Sequence, residues 1–157
     1  MAEQPSSNPL PKFPLPADWK FDPAIAATVL NNRGHGGYLG IKYLRHGDRW
    51  VELALPWRED LVGVTETGVL ASGPIISLLD NATSMSVWTR RGVFAPQATL
   101  DLRIDYVRAA TPGKTLIGRG ECYQLRRNIG FVRGTAYEDD IDDPVAHAAG
   151  IFMLVGS

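Results

Sequence analysis

One segment of the chain carries almost no charge. Between Thr67 and Thr89 the only ionisable side chain is Asp80. Pro74 stands where a helix can begin, and isoleucine, leucine, alanine, methionine and valine follow, mixed with small polar residues. Such a segment predicts a long helix, from about Pro74 to about Arg90, buried on nearly all sides. Arg90 and Arg91 suit the negative end of its dipole, and Gly92 suits its stop. A lone carboxylate on a buried helix must be hydrogen-bonded, paired, protonated or hydrated. Asp80 is therefore the leading functional residue on sequence grounds.

The rest of the 157 residues predicts one domain. Five prolines between Met1 and Pro16 mark residues 1–16 as an extended N-terminal arm, with a single domain over 17–157. Asp22-Pro23 reads as a helix start, with Asp22 as cap and a short helix from Ala24 to Asn31. Residues 32–37 read as loop. Strands are expected over Tyr38–Arg45 and Trp50–Leu55, joined through Gly47-Asp48, then a loop over Arg58–Glu66. After the long helix come strands at Ala98–Val107, Thr115–Leu125, Ile129–Tyr137 and Val145–Val155. In the first of these, Leu100, Leu102, Ile104 and Tyr106 alternate with Asp101, Arg103 and Asp105. Thr99 falls out of phase with Leu100 and on these grounds reads as a plain strand threonine. Short turns between successive strands imply antiparallel pairing. The expected class is α+β, an antiparallel sheet wrapped around one long helix.

Several functions are disfavoured. A net charge of −1 gives no electrostatic grip on nucleic acid. No apolar run approaches the ~20 residues of a membrane span, and no secretory signal pattern is visible. The single cysteine, Cys122, cannot form an intrachain disulfide. These features together predict a cytoplasmic protein. His35, His46 and His147 have no metal-site spacing, and there is no phosphate loop and no nucleophile elbow. Trp50, Trp57 and Trp88 are expected in the core or an interface.

Three stretches in order carry a resemblance. They are Gly68-Val-Leu-Ala-Ser-Gly-Pro-Ile-Ile-Ser-Leu-Leu-Asp80, Ala98-Thr-Leu-Asp-Leu-Arg-Ile-Asp-Tyr-Val-Arg-Ala-Ala-Thr-Pro-Gly113 and Val145-Ala-His-Ala-Ala-Gly-Ile-Phe152. Together they resemble the hotdog fold, and within it the PaaI-like acyl-CoA thioesterases, over roughly residues 38–155. The resemblance implies hydrolysis of an acyl-CoA thioester without a metal or other cofactor, coenzyme A being part of the substrate. It also implies a homodimer or homotetramer with the active site between subunits. It assigns backbone N–H donors at Ser72 and Gly73, the carboxylate to Asp80 and a hydroxyl to Thr99, which a bulge or local twist must then aim at the helix. Arg108, Arg126 and Arg127 become candidates for the coenzyme A phosphates, against a plainer reading as solvated turn residues. Two other readings accompany the hydrolase: a non-catalytic acyl-CoA or aromatic-ligand binder, and a hotdog hydratase or dehydratase. The chain departs from the family in having Ala71-Ser72-Gly73 where His-Gly-Gly is common, and Thr65 where an asparagine is common. Its own His35-Gly36-Gly37 precedes the first sheet strand and is set aside as a site.

Overall fold

The computed structural model describes residues 20–155. The expected arm over residues 1–16 lies outside the described residues.

The first helix, α1 (Pro23–Leu30), starts as its sequence demands. Asp22 Oδ1 accepts hydrogen bonds from the backbone N–H of Ala24 at 2.8 Å and of Ile25 at 3.4 Å. The expected loop after it is instead a second short helix, α2 (Gly34–Leu39). Glycine is a poor helix former, so local propensity hides α2. Tertiary contacts hold it: Leu39 is buried, and the Arg58 guanidinium donates to the Tyr38 carbonyl at 2.6 Å. As a result β1 (Lys42–His46) begins four residues later than the sequence pattern suggested. It pairs with β2 (Trp50–Leu55) through the expected hairpin.

The segment expected as loop over Arg58–Glu66 carries a 3-10 turn at Glu59–Leu61 and the strand β3 (Val62–Val64). The latter pairs with β4 (Val69–Leu70) in a small ribbon just before the long helix. That helix, α3, runs from Ser72 to Arg91 and ends at Gly92 in the left-handed conformation. Four strands follow: β5 (Gln97–Tyr106), β6 (Leu116–Arg126), β7 (Ile129–Tyr137) and β8 (Ala146–Leu154).

The six long strands form one antiparallel sheet in the order β1-β2-β6-β7-β8-β5. α3 packs into its concave face, over β2, β6 and β7. The closest approach is at Gly120 of β6, where an added Cβ would lie 2.3 Å from the Ala82 carbonyl atoms. Glycine there lets the helix backbone rest on the sheet. Leu53, Leu55, Leu78, Leu79, Met85 and Phe152 fill the layer between them.

Of the tryptophans expected in the core or an interface, Trp88 lies in the core and Trp57 packs against it, whereas Trp50 does not. Trp88 is buried and donates to the Ala95 carbonyl at 2.7 Å. Trp50 alternates away from the helix, and the Arg119 guanidinium stacks on its ring at 3.8 Å.

Candidate active site

The expectation that α3 is buried on nearly all sides needs correction. Ile75, Leu78, Leu79, Ala82, Met85 and Ser86 face the sheet, whereas Gly73, Ser77, Asp80, Asn81 and Ser84 are exposed or half-buried. Gly73, Ser77, Asp80 and Ser84 follow one another at three or four residues, and Asn81 flanks Asp80, so they form a single stripe. The stripe is polar and small. Asp80 lies at its middle.

β5 places a hydroxyl against Asp80. The β5–β8 register slips between Thr99 and Asp101, leaving Leu100 as the extra residue of a bulge. The regular alternation therefore breaks at Leu100, which is 55% exposed and does not share the face of Leu102 and Ile104. Thr99 takes that face instead, and its Oγ1 donates to Asp80 Oδ1 at 3.0 Å. Burial pushes the Asp80 carboxyl above its ordinary range, and the Thr99 hydrogen bond pulls part of the way back. The result is a half-buried carboxylate with one oxygen fixed by a hydroxyl.

The start of α3 is open. Its N-cap, Ala71, makes no side-chain capping bond, and a Cβ built on Gly73 meets nothing within 4 Å. The orphan N–H groups of a first turn are anion-seeking donors. Beside them lies a cleft of about 310 Å³ lined by Val69, Leu70, Ser72, Ile75, Tyr106 and Arg108, among others. The Tyr106 hydroxyl crosses it to donate to the Ser72 carbonyl at 3.2 Å.

The candidate arginines lie apart from Asp80. Arg108 sits at the edge of the cleft, but its guanidinium is already engaged. It donates to Asp143 Oδ1 at 3.2 Å, to Glu138 Oε2 at 3.3 Å and to the Asp143 carbonyl at 3.0 Å. Arg126 and Arg127 form the β6–β7 turn, Arg127 with φ +50°. Gly118 of β6 opposes Leu78 and Gly130 of β7 opposes Val87, so this turn lies toward the C-terminal end of α3. Within one chain it is remote from Ser72 and Gly73.

Of two polar neighbours of the stripe, one escaped the sequence reading and the other was set aside by it. Gln97 of β5 donates to the Ser84 carbonyl at 2.9 Å, with its Oε1 buried and unpartnered. Two places from Thr99, it shares that face by strand alternation, which was its one available signal. His35 of α2 is the other: its Nε2 lies 2.9 Å from Ser77 Oγ. It is therefore not remote from the helix, as its place ahead of β1 suggested. The remaining histidines are elsewhere, His46 against the Tyr43 hydroxyl and His147 against Thr135. Among the described residues no cluster of three or more His, Cys, Asp or Glu side chains could hold a metal ion. None of the described helices is long and apolar enough to cross a membrane.

A long helix cradled by an antiparallel sheet, with a carboxylate on its open stripe, defines a hotdog-fold protein. The family model of the thioesterase superfamily matches residues 67–145, from the loop before α3 to the start of β8, and the chain belongs to that superfamily. A Pseudomonas aeruginosa protein of known structure is 35% identical, with 83% of this chain and 95% of that one covered and a TM-score of 0.73. The fold is also shared with two proteins at 16% identity. One is the Escherichia coli PaaI protein of the phenylacetic acid degradation operon, covering 84% of this chain and 91% of that one with a TM-score of 0.72. The other is a Haemophilus influenzae thioesterase, covering 88% and 93% with a TM-score of 0.75. No curated protein sequence matches the chain.

Proposed function

We propose that this protein hydrolyses an acyl-CoA thioester, with Asp80 as the base that activates water. The observation that carries the reading is the Thr99–Asp80 hydrogen bond on the open stripe of α3. Thr99 fixes one carboxylate oxygen and leaves the other for a water molecule. Burial raises the affinity of that carboxylate for a proton, which is what a base needs. The water oxygen bonds to the thioester carbon while its proton goes to Asp80. The carbonyl oxygen takes the developing negative charge, which the N–H groups at Ser72 and Gly73 are disposed to bind. The carbon–sulfur bond then breaks with its electron pair on sulfur. Asp80 then gives up the proton it took and the thiolate takes one up, so a carboxylic acid and a thiol are the products and Asp80 is regenerated.

Helix geometry sets a condition on this mechanism. Gly73 and Asp80 are seven residues apart on α3, so at 1.5 Å per residue they are separated by about 10 Å along the axis. That is two helical turns, a long reach for one carbonyl group and its water. The reading therefore pairs the N–H donors of one subunit with Asp80 of another. β5 lies at an edge of the sheet and is ten residues long, which suits pairing with a second copy.

The test is a thiol-release screen over acyl-CoA esters of different chain length and aromaticity, run beside Asp80→Asn. Turnover by the parent and loss in the variant support the reading. Heat protection by coenzyme A esters without thiol release would replace it with a binding protein. Loss of 2-enoyl absorbance without thiol release would replace hydrolysis with hydration.

A further inference from the structure

The mechanism above leaves one atom of the reacting group without a partner. Water on the carbon is handled by Asp80, and the carbonyl oxygen by the start of α3. The sulfur acquires negative charge as its bond to carbon breaks, and none of the residues placed so far meets it.

His35 stands where such a partner belongs. Its Nε2 is 2.9 Å from Ser77 Oγ, and Ser77 Oγ donates to the Gly73 carbonyl at 3.1 Å. A hydroxyl has one proton to give. With that proton on the Gly73 carbonyl, Ser77 Oγ accepts from His35, so Nε2 carries the hydrogen. Ser77 is three residues before Asp80, which puts their Cβ atoms roughly 5–6 Å apart on one helix face. Thr99 flanks the stripe from β5, while His35 reaches it from α2 through Ser77.

Burial does not explain the contact. Both side chains are outside the core, His35 being exposed, and an exposed polar pair contributes little to stability. The glycines around His35 have a separate explanation: a Cβ on Gly37 would lie 2.8 Å from the Asn32 carbonyl carbon. They allow α2 to pack against the end of α1. The imidazole itself is not needed for that packing.

We propose that His35 is a further catalytic residue of the thioester site, its Nε2–H exchanging Ser77 Oγ for the leaving sulfur when substrate is bound. The inference rests on the hydrolase reading. As the carbon–sulfur bond breaks, sulfur keeps the electron pair and the imidazole N–H stabilises it. The thiolate then takes up one proton, and the acid product and Asp80 release one between them, so the sum remains thioester plus water to acid plus thiol.

Leaving-group dependence tests this role. A coenzyme A thiol is a poor leaving group and needs the donor; an aromatic thiol, with its lower pKa, leaves faster without help. His35→Ala should lower kcat for an acyl-CoA at least about tenfold, on the scale of losing one aimed donor. For the thiophenyl ester of the same acid the loss should be less than about threefold. His35→Gln, which keeps an N–H near the Nε2 position, should recover much of the acyl-CoA rate. Asp80→Asn should lose both substrates alike. Melting temperatures of the histidine variants should match the parent. Parental kinetics in His35→Ala, or an equal loss on both esters, would overturn the role; so would a loss that tracks melting temperature and persists in His35→Gln. A parent that releases no thiol from any ester sinks the hydrolase reading instead. The His35 ring signals are then followed by NMR as a non-hydrolysable acyl-CoA analogue is added. Their displacement keeps His35 in the ligand site, and unmoved signals remove it.

Discussion

At the scale of single residues, Asp80 and Thr99 make separable predictions. Asp80→Asn preserves shape and removes the base, so kcat should fall by roughly 100-fold or more. Its effect on stability follows from the sign of the shift. Burial raises the Asp80 carboxyl in the folded protein, so the fold favours the protonated form. That contribution is fully present below the ordinary carboxylate range and is lost as pH rises through the raised value. The asparagine variant escapes this loss. Its melting temperature at pH 7 should equal or exceed the parent's, and any advantage should vanish near pH 4. Lower stability at pH 7 would mean that Asp80 is a structural acid. Thr99→Val removes the bond that favours the carboxylate, so the Asp80 carboxyl should rise further. The acid limb of the kcat/KM profile should then move to higher pH. An unmoved limb would separate that titration from Asp80. Asp80 was legible in the sequence because no other charge surrounds it, whereas Thr99 came from the family resemblance alone, a plain strand threonine being the reading its own residues favoured. His35 and Gln97 were not legible, because their contacts join elements far apart in the chain.

At the scale of elements, the close seat of α3 on β6 is the most exposed to a small change. Gly120→Ala would drive a methyl group into the Ala82 backbone, and no rotamer can relieve a clash with a main chain. Overpacking of this kind costs about 1–3 kcal/mol, so a denaturant titration should show a clear fall in stability. Activity should fall with it, because α3 carries Asp80. Parental stability would mean that the helix sits farther from the sheet. The β6–β7 turn gives a different prediction. Arg126 and Arg127 lie away from the start of α3 in their own chain and reach a coenzyme A nucleotide only across a subunit boundary. If they do, changing both to alanine should raise KM for an acyl-CoA and leave a short thioester without the nucleotide unaffected. Equal kinetics on both substrates would return the pair to solvent. Elements with strong local signals were readable from sequence: α3 from its uncharged run and Gly92, β2 and β7 to the residue. α2 was not, because Gly34-His-Gly-Gly-Tyr-Leu39 has low helix propensity and depends on Leu39 burial and the Arg58 bond for its shape. The β3–β4 ribbon was missed for a similar reason, its strands being too short for alternation to register.

At the scale of the whole molecule, the proposed mechanism, with about ten ångströms along α3 between its N–H donors and Asp80, predicts that activity is a property of an assembly. The protein should have a solution mass of two or four chains, and specific activity should fall on dilution below the dissociation constant. Complementation tests the shared site directly. Gly73→Pro removes one N–H while remaining tolerable in a first helical turn, and Asp80→Asn removes the base. Each variant alone should be nearly inactive. Mixed after dissociation and reassembly, half of the dimers pair one chain of each kind. In such a dimer one site combines both lesions, while the other combines an intact Asp80 with an intact Gly73. Random reassortment should therefore restore about a quarter of parental turnover per chain in a twofold dimer. Recovery must also require chain exchange, so mixing without dissociation should restore nothing at first. If reassembled mixtures stay as inactive as their components while light scattering reports mixed dimers, the donors and the base do not meet across subunits. A fully active monomer would exclude the shared site by a shorter route, since both the donors and the base would then come from one chain.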